Sequence, residues 1–489
     1  MQTARPRSRS RTAVPILTFV LAACSDQGAE LPTATARLAT SAAAAAKVAI
    51  CHVAGANPLV LDVASPALAD HFDHGDYAVT LFVNRESNQA NDGIHFTRIT
   101  DALNAARTGR VARGELTSAA CRVTILVSSG VYPGATGTAA PDIERFPLMV
   151  DVPDITLQGA FAMDIDANGR ATGANTASGA TTLSPIAPLP VVAGASTPII
   201  AANGHPDGSA GHGLIVQGFV FLSGHTPPTS LGGQGVFTVR VDGVTIRGNR
   251  FEAGFSDKVD VRAGSADVSQ NYLTGAVTAC DICVAAPGRF RATGNLIEAG
   301  GIPGIVASGT IGLPVAPGVE PYPLPSAAEA WAEFRNNEVR NHLRVPVGVG
   351  LRVDAQGNAA PNVHNTIHAT FQDNVLTNNR FGIIVHGAFP VAGSALRSDV
   401  DVTLGGNVFA QTCQTKLLVS LSRHTAALGL STNPFLMNST FRLTLNGDVS
   451  WDEAWYGHPA GLGNSLIVDD QLIDNGFRHS YSATTCPGL

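Results

Sequence analysis

Ile246-Arg-Gly-Asn249-Arg-Phe251 is followed by Val268-Ser-Gln-Asn271-Tyr-Leu273 and then by Ala292-Thr-Gly-Asn295-Leu-Ile297. The same short strand ending in a turn asparagine returns as Phe334-Arg-Asn-Asn337-Glu-Val339, Phe371-Gln-Asp-Asn374-Val-Leu376 and Leu404-Gly-Gly-Asn407-Val-Phe409. Successive asparagines lie 22, 24, 42, 37 and 33 residues apart. The shorter intervals match one coil of a β-solenoid, and the longer ones match a coil with an inserted loop. Asparagine tolerates the left-handed backbone of a tight turn, and stacked amides can bond from coil to coil. No single repeat can bury its apolar face, so the repeats must stack. The expected class is all-β, a solenoid.

Towards the N-terminus, residues 79–83 read as a strand. Residues 96–106 place Phe96, Ile99, Ala102 and Leu103 on one helical face. Val123-Thr-Ile-Leu-Val127 reads as a buried strand, Gly130-Val-Tyr-Pro-Gly134 as a turn, and Glu144-Arg-Phe-Pro-Leu148 and Ile155-Thr-Leu-Gln-Gly159 as further elements. This order resembles the opening of pectin-lyase-like proteins, particularly exported bacterial members. The resemblance spans roughly residues 79–480 and implies a right-handed parallel β-helix with an N-terminal capping helix.

Many relatives in that superfold bind or cut polysaccharides in a groove along the coil, although fold alone confers no activity. Its lyases use a cation-binding carboxylate cluster with a base, and its hydrolases use facing carboxylates. The series Asn-Thr-Asp, Asp-Asp, Gly-His-Gly is absent here. Asp469-Asp470 is the one adjacent carboxylate pair in a coil-like strand. Arg380 and His386 flank Phe381-Gly-Ile-Ile-Val385, with Asp373 upstream, and these three are the catalytic candidates.

Carried across one 22-residue repeat, the register stacks Arg240 near Arg262 and Thr238 near Asp260. Valines then point inward, and Arg240, Asp242, Lys258, Asp260 and Arg262 form an outer ladder. Such a ladder is either a solvated face with cross-strand ion pairs or a strip for an acidic or polyhydroxylated polymer. Trp451 and Trp455 are further substrate-binding candidates: exposed, they would stack on sugar rings. Buried, they would close the C-terminal end of the coil, which must not leave an open strand edge, and this use is favoured. Residues 302–330 read as a proline-rich loop, with Ser326-Ala-Ala-Glu329 as a capping box before Trp331.

Residues 47–78 stand apart. They carry Cys51-His52, then His71-Phe-Asp-His74-Gly-Asp76, and resemble a short Cys-His…His-x-x-His-Gly-Asp module of exported bacterial proteins. Cys51, His52, His71 and His74 are ligand types that hold zinc or copper; with Cys51 oxidised, the thiolate is lost and the histidines form a hydrogen-bond cluster instead. Asp164-Ile-Asp166-Ala-Asn168-Gly169 matches the first half of a calcium loop. The twelfth position is Asn175, so the bidentate carboxylate is missing; the alternative is a polar turn.

Residues 1–24 read as a secretion signal, with Arg5, Arg7, Arg9 and Arg11 before a short apolar run. Leu21-Ala-Ala-Cys24 resembles a bacterial lipobox, which implies lipid on Cys24 and a protein anchored to the outer membrane or cell surface. Residues 25–46, rich in Ala, Thr and Ser, read as a tether. The six remaining cysteines permit three disulfides among fifteen possible pairings. Cys413–Cys486 is the favoured pair, because it would pin the C-terminal tail. Cys280 and Cys283 enter a strand and read as a structural disulfide or as two buried thiols.

The organisation is therefore 1–24 signal, 25–46 tether, 47–78 small module and 79–489 β-helix. The chain has 489 residues, is only 14% charged and carries a net charge of −7. It has three lysines, Lys47, Lys258 and Lys416, and no basic patch beyond the N-terminus, which excludes a basic nucleic-acid face. The leading functional reading is a non-catalytic surface protein that binds carbohydrate or envelope polymer. The alternative is a polysaccharide lyase or glycoside hydrolase acting in a groove of the coil.

Overall fold

The computed structural model describes residues 47–478 except 55–56, 88–91, 117–118, 138–141, 176, 193–194, 205–210, 226–231, 276, 278, 301–302, 310–324, 344–347, 356–362, 388–396, 422–437 and 459. The signal, the lipobox with Cys24, the tether, much of the proline-rich loop and Cys486 lie outside the described residues. Cys413 is disulfide-bonded.

Strands Lys47–Ala54 and Asn57–Ala64 form an antiparallel hairpin, and Tyr77–Ala78 pairs with the free edge of the first. Helix α1 (Leu68–Asp73) precedes the turn that leads to Asp76. A Cys51–Cys121 disulfide ties this small sheet to the chain that follows.

Helix α2 (Ile99–Ala112) buries Ile99, Ala102, Leu103 and Ala106 in the main core. Its N-terminal N–H groups need acceptors that Arg98, at the cap position, cannot offer. The Glu144 carboxylate takes them, accepting from Ile99 N at 2.7 Å and Thr100 N at 2.9 Å. This helix closes the N-terminal end of the coil.

Each coil runs through three faces. On the first lie strands such as Pro303–Ser308, Val349–Asp354, Phe381–His386 and Thr415–Ser420. On the second lie Ala327–Arg335, His364–Gln372 and Ser398–Gly405. In three middle coils the first and second strands are continuous, as Gln234–Arg247, Asp257–Ser269 and Ile282–Thr293. The third face is built of short strands, from Phe219–Phe221 to Val408–Ala410. Among the described residues the first two faces make one sheet of 23 strands and the third makes a sheet of ten. Coil-to-coil pairing is parallel throughout the middle of the molecule. The protein is a right-handed parallel β-helix.

The corner between the second and third faces holds the asparagines. Each side-chain Nδ2 donates to the next Oδ1: Asn249 to Asn271 at 3.1 Å, Asn271 to Asn295 at 3.0 Å and Asn295 to Asn337 at 2.9 Å. Asn337 then donates to Asn374 at 3.0 Å, Asn374 to Asn407 at 2.9 Å, and Asn407 to the Asp448 carboxylate at 2.7 Å. All six asparagines are buried. The left-handed backbone belongs to the residue before each, among them Gln270, Asn336 and Asp373 with φ near 55°. The asparagine itself is spent on the ladder.

The outer charge ladder is not formed. Ile246 pairs with Val268, an offset of 22, but Phe237 pairs with Asp260 and Val239 with Arg262, an offset of 23. An irregularity between Val241 and Val244 absorbs the extra residue. Val239 consequently faces away from the main core and packs with Phe237 and Ala201. Arg240 sits in the corner with φ 56°, and Asp242 alone of the five is exposed. Lys258 is fully buried and ion-pairs with Asp281, whose other oxygen lies 3.2 Å from His342 Nε2. Asp260 is buried and held by Arg262 at 2.8 Å.

Two local readings also change. Gly130–Thr136 is a strand rather than a turn. Of the residues read as a capping box, Ser326 immediately precedes and Ala327, Ala328 and Glu329 open strand Ala327–Arg335, which alternates buried Ala328, Ala330, Ala332 and Phe334 with outward Glu329, Trp331 and Glu333.

At the C-terminal end the ladder changes direction. Ser465–Val468 turns back onto itself as Gln471–Ile473, and Gly476–Arg478 runs antiparallel to Trp455–His458. Asp469 and Asp470, with φ 46° and 62°, form the hairpin turn, and Asp469 Oδ1 accepts the Leu445 N–H. They are a turn rather than a catalytic pair. Trp451 is half-buried against the main core under the Arg478 guanidinium, 5.1 Å from its ring, and Trp455 packs with Phe381 and Leu418. Both close the end of the coil and offer no open platform.

Candidate functional site

Two rows of outward side chains run along the second face. Register places Arg289, Trp331, His368, Asp401 and Arg442 in one row, and Asp267, Arg291, Glu333 and Thr370 in the next. Strands sit about 4.8 Å apart, so four steps from Arg289 to Arg442 span about 19 Å. Up to Asp401 and Thr370 the rows line an open groove of about 750 Å³.

Trp331 is 46% exposed, although a large aromatic normally avoids water. It stacks on His368 with ring centroids 4.0 Å apart, and the Arg289 guanidinium lies 6.0 Å from its ring. His368 is oriented from both sides: Nε2 lies 3.2 Å from Glu329 Oε1 and Nδ1 lies 3.1 Å from Asp401 Oδ2. Glu333 is shared by Arg291 at 3.2 Å and Arg335 at 3.1 Å. Glu329, Glu333, His368 and Asp401 are thus held in pairs, whereas among the described residues Arg289 meets only the Trp331 ring and Asp267 has no ion pair, its Oδ1 buried without a hydrogen bond. Planar donors and acceptors around an exposed indole are the chemistry that recognises sugar hydroxyls and the apolar faces of sugar rings.

A second group sits on the first face. Gln234 Nε2 donates to Asp257 Oδ2 at 3.2 Å and to Asp260 Oδ2 at 3.1 Å, so one amide bridges two carboxylates. Burial and then the Asp260 charge raise the Asp257 carboxyl from 3.8 to about 6. Arg262 keeps Asp260 company on the other side. The Cys280–Cys283 disulfide packs against Asp257. A raised carboxyl beside an ion-paired one is an arrangement suited to acid–base work.

The three catalytic candidates do not converge. Asp373 occupies the left-handed corner before Asn374. Arg380 precedes strand Phe381–His386 and lies over the Phe381 ring, at the opposite end from His386. His386 instead comes within 3.8 Å of Asp354, which Arg352 holds at 2.6 Å. Burial raises the Asp354 carboxyl, opposed by the Arg352 charge.

The metal candidates are also rearranged. Cys51 is oxidised, so it offers no thiolate. His74 is exposed and apart from the cluster that His52 and His71 form with Asp76. In the calcium-like loop, Asp166 Oδ1 accepts the backbone N–H groups of Asn168 and Arg170, both at 2.8 Å. These bonds hold the Asp166 carboxyl below its usual range and make the segment from Asp164 to Asn168 a self-capped turn.

No protein-family model matches the chain, and no curated protein matches its sequence. Among solved structures, it is similar to DFA-IIIase from Arthrobacter chlorophenolicus A6 without its lid, in complex with GF2. That likeness has 13% identity and a TM-score of 0.40, over 83% of this chain and 99% of that one. It is also similar to the A-module of the mannuronan C-5 epimerase AlgE4 of Azotobacter vinelandii, with 13% identity and a TM-score of 0.36, over 79% of this chain and 94% of that one.

Proposed function

We propose that the protein binds an extended polysaccharide in the groove of its second face, at the cell envelope, anchored through lipid on Cys24. The observation that carries this reading is the exposed Trp331 ring, stacked on His368, in a groove where most of the carboxylates are already held by Arg or His. An unpaired acidic cluster would instead favour a cation or a cationic ligand. Mixing the full chain with uronate and neutral polysaccharides, followed by size-exclusion chromatography, tests it. Co-elution with one class, lost in Trp331→Ala, supports the reading; co-elution with none overturns it.

The Asp257–Asp260–Arg262 group favours a second reading, a polysaccharide lyase or glycoside hydrolase. In the same experiment it requires the polymer to shorten, and the shortening to vanish in Asp257→Asn and Asp260→Asn. Unchanged polymer length across the panel overturns it.

A further inference from the structure

We propose that His52, His71 and Asp76 bind one divalent transition-metal ion of the zinc, copper or nickel kind. Both imidazoles aim Nδ1 at the same atom, Asp76 Oδ2, at 2.7 Å from His52 and 2.8 Å from His71. One ligand atom from each of the three residues lies within 4.8 Å of the others. The two rings stand nearly perpendicular, at 87°, so they enclose the carboxylate oxygen from different directions.

The donor set is two borderline nitrogens and one hard oxygen, which suits zinc, copper and nickel better than calcium or magnesium. Ligands held about 2.1 Å from a tetrahedral metal stand roughly 3.3 Å from one another. Opening each N···O separation by about half an ångström therefore turns two hydrogen bonds into a three-ligand site. Coordination through Nδ1 places each imidazole proton on Nε2, away from Asp76. Three protein ligands leave a fourth position for water.

The scaffold restrains all three donors. His52 follows Cys51, whose disulfide to Cys121 fixes that strand. His71 lies on α1, and the Asp76 N–H donates to His71 O at 3.1 Å. Asp76 is buried, whereas the two histidine side chains are 32% and 27% exposed, so an ion can enter from solvent. Arg113 approaches the other Asp76 oxygen at 3.8 Å, leaving Oδ2 to the imidazoles.

The test uses the full chain, untagged, stripped with chelator and titrated with zinc chloride by calorimetry. One site per chain is expected, weakened roughly 10–100-fold in His52→Ala and in His71→Ala. A thiol count showing the Cys51–Cys121 bond intact confirms that the variants keep this module folded. Independently, the wild-type chain loaded with one equivalent of Cu²⁺ is expected to show coupling to two imidazole nitrogens by electron paramagnetic resonance. Absence of stoichiometric uptake, unchanged affinity in both folded variants, or a copper spectrum without two nitrogens overturns the proposal.

Discussion

Asn295 Nδ2 donates to Asn337 Oδ1 at 2.9 Å across a sequence separation of 42, a distance no longer than in the coil before it, where the separation is 24. Asn337 Oδ1 also accepts the Asn295 backbone N–H at 3.1 Å, and its Nδ2 donates to Ala292 O at 2.8 Å. Asn337→Ala strands these buried groups and is expected to destabilise the protein by about 3 kcal/mol. Chemical denaturation measures this. Asn341→Ala, at the half-buried Asn341–Asn378 pair, is expected to cost well under half as much.

Lys258 is expected to tolerate double replacement better than single. Lys258→Met leaves the Asp281 carboxylate buried without its cation and should lower stability by about 3–5 kcal/mol. Adding Asp281→Leu removes that stranded charge and should restore part of the loss. Equal melting temperatures for the single and double variants would contradict this account.

Asp257 predicts a pH dependence. Its folded pKa is raised to about 6 from 3.8, so folding favours the protonated form. The stabilisation is complete below about pH 4 and is lost as pH rises through about 6, amounting to about 3 kcal/mol. Asp257→Asn cannot ionise and is expected to keep it. Thermal melts at pH 4, 6 and 8 should show the variant gaining on the wild type as pH rises.

Trp331→Ala is expected to weaken polysaccharide binding roughly tenfold, about 1.4 kcal/mol, through loss of one stacking surface. Stability should change little, since the ring is half in solvent. Affinity electrophoresis against a bound polymer separates the two effects.

Removing Cys51–Cys121, which closes a span of 70 residues, is expected to cost about 2–4 kcal/mol. Hydrogen exchange in the Cys51→Ser, Cys121→Ser variant should rise first in strands Lys47–Ala54 and Asn57–Ala64.

The coil itself was legible because Asn249 to Asn407 mark one corner of every turn, and a buried amide ladder constrains sequence tightly. The α2 stripe was legible in part: Ile99, Ala102 and Leu103 face the core as read, whereas Phe96 lies in the strand His95–Phe96 before the helix, and Ala106 continues the buried face. Register away from that corner was not. One extra residue between Val241 and Val244 shifts Asp260 from Thr238 to Phe237, and the asparagine spacing does not contain it. Trp331 was misplaced because Ser326-Ala-Ala-Glu329 imitates a helix start locally. The stronger signal was the period-two alternation from Ala328 to Phe334, with alanines on the inner side. Pairing Cys51 with Cys121 needed three-dimensional information, because all six cysteines were chemically equivalent candidates.

A parallel ladder has no intrinsic stopping point: each coil is a template for the next, whether from the same chain or from another copy. Here the direction reversals after Val468 and at Gly476–Arg478 act as a terminator, and α2 seals the opposite end. Truncation near residue 464 would remove that terminator and leave the Thr440–Thr444 and Trp455–His458 edges able to recruit a second molecule. The turns between Val468 and Arg478 thus decide whether the coil stops or templates a second copy.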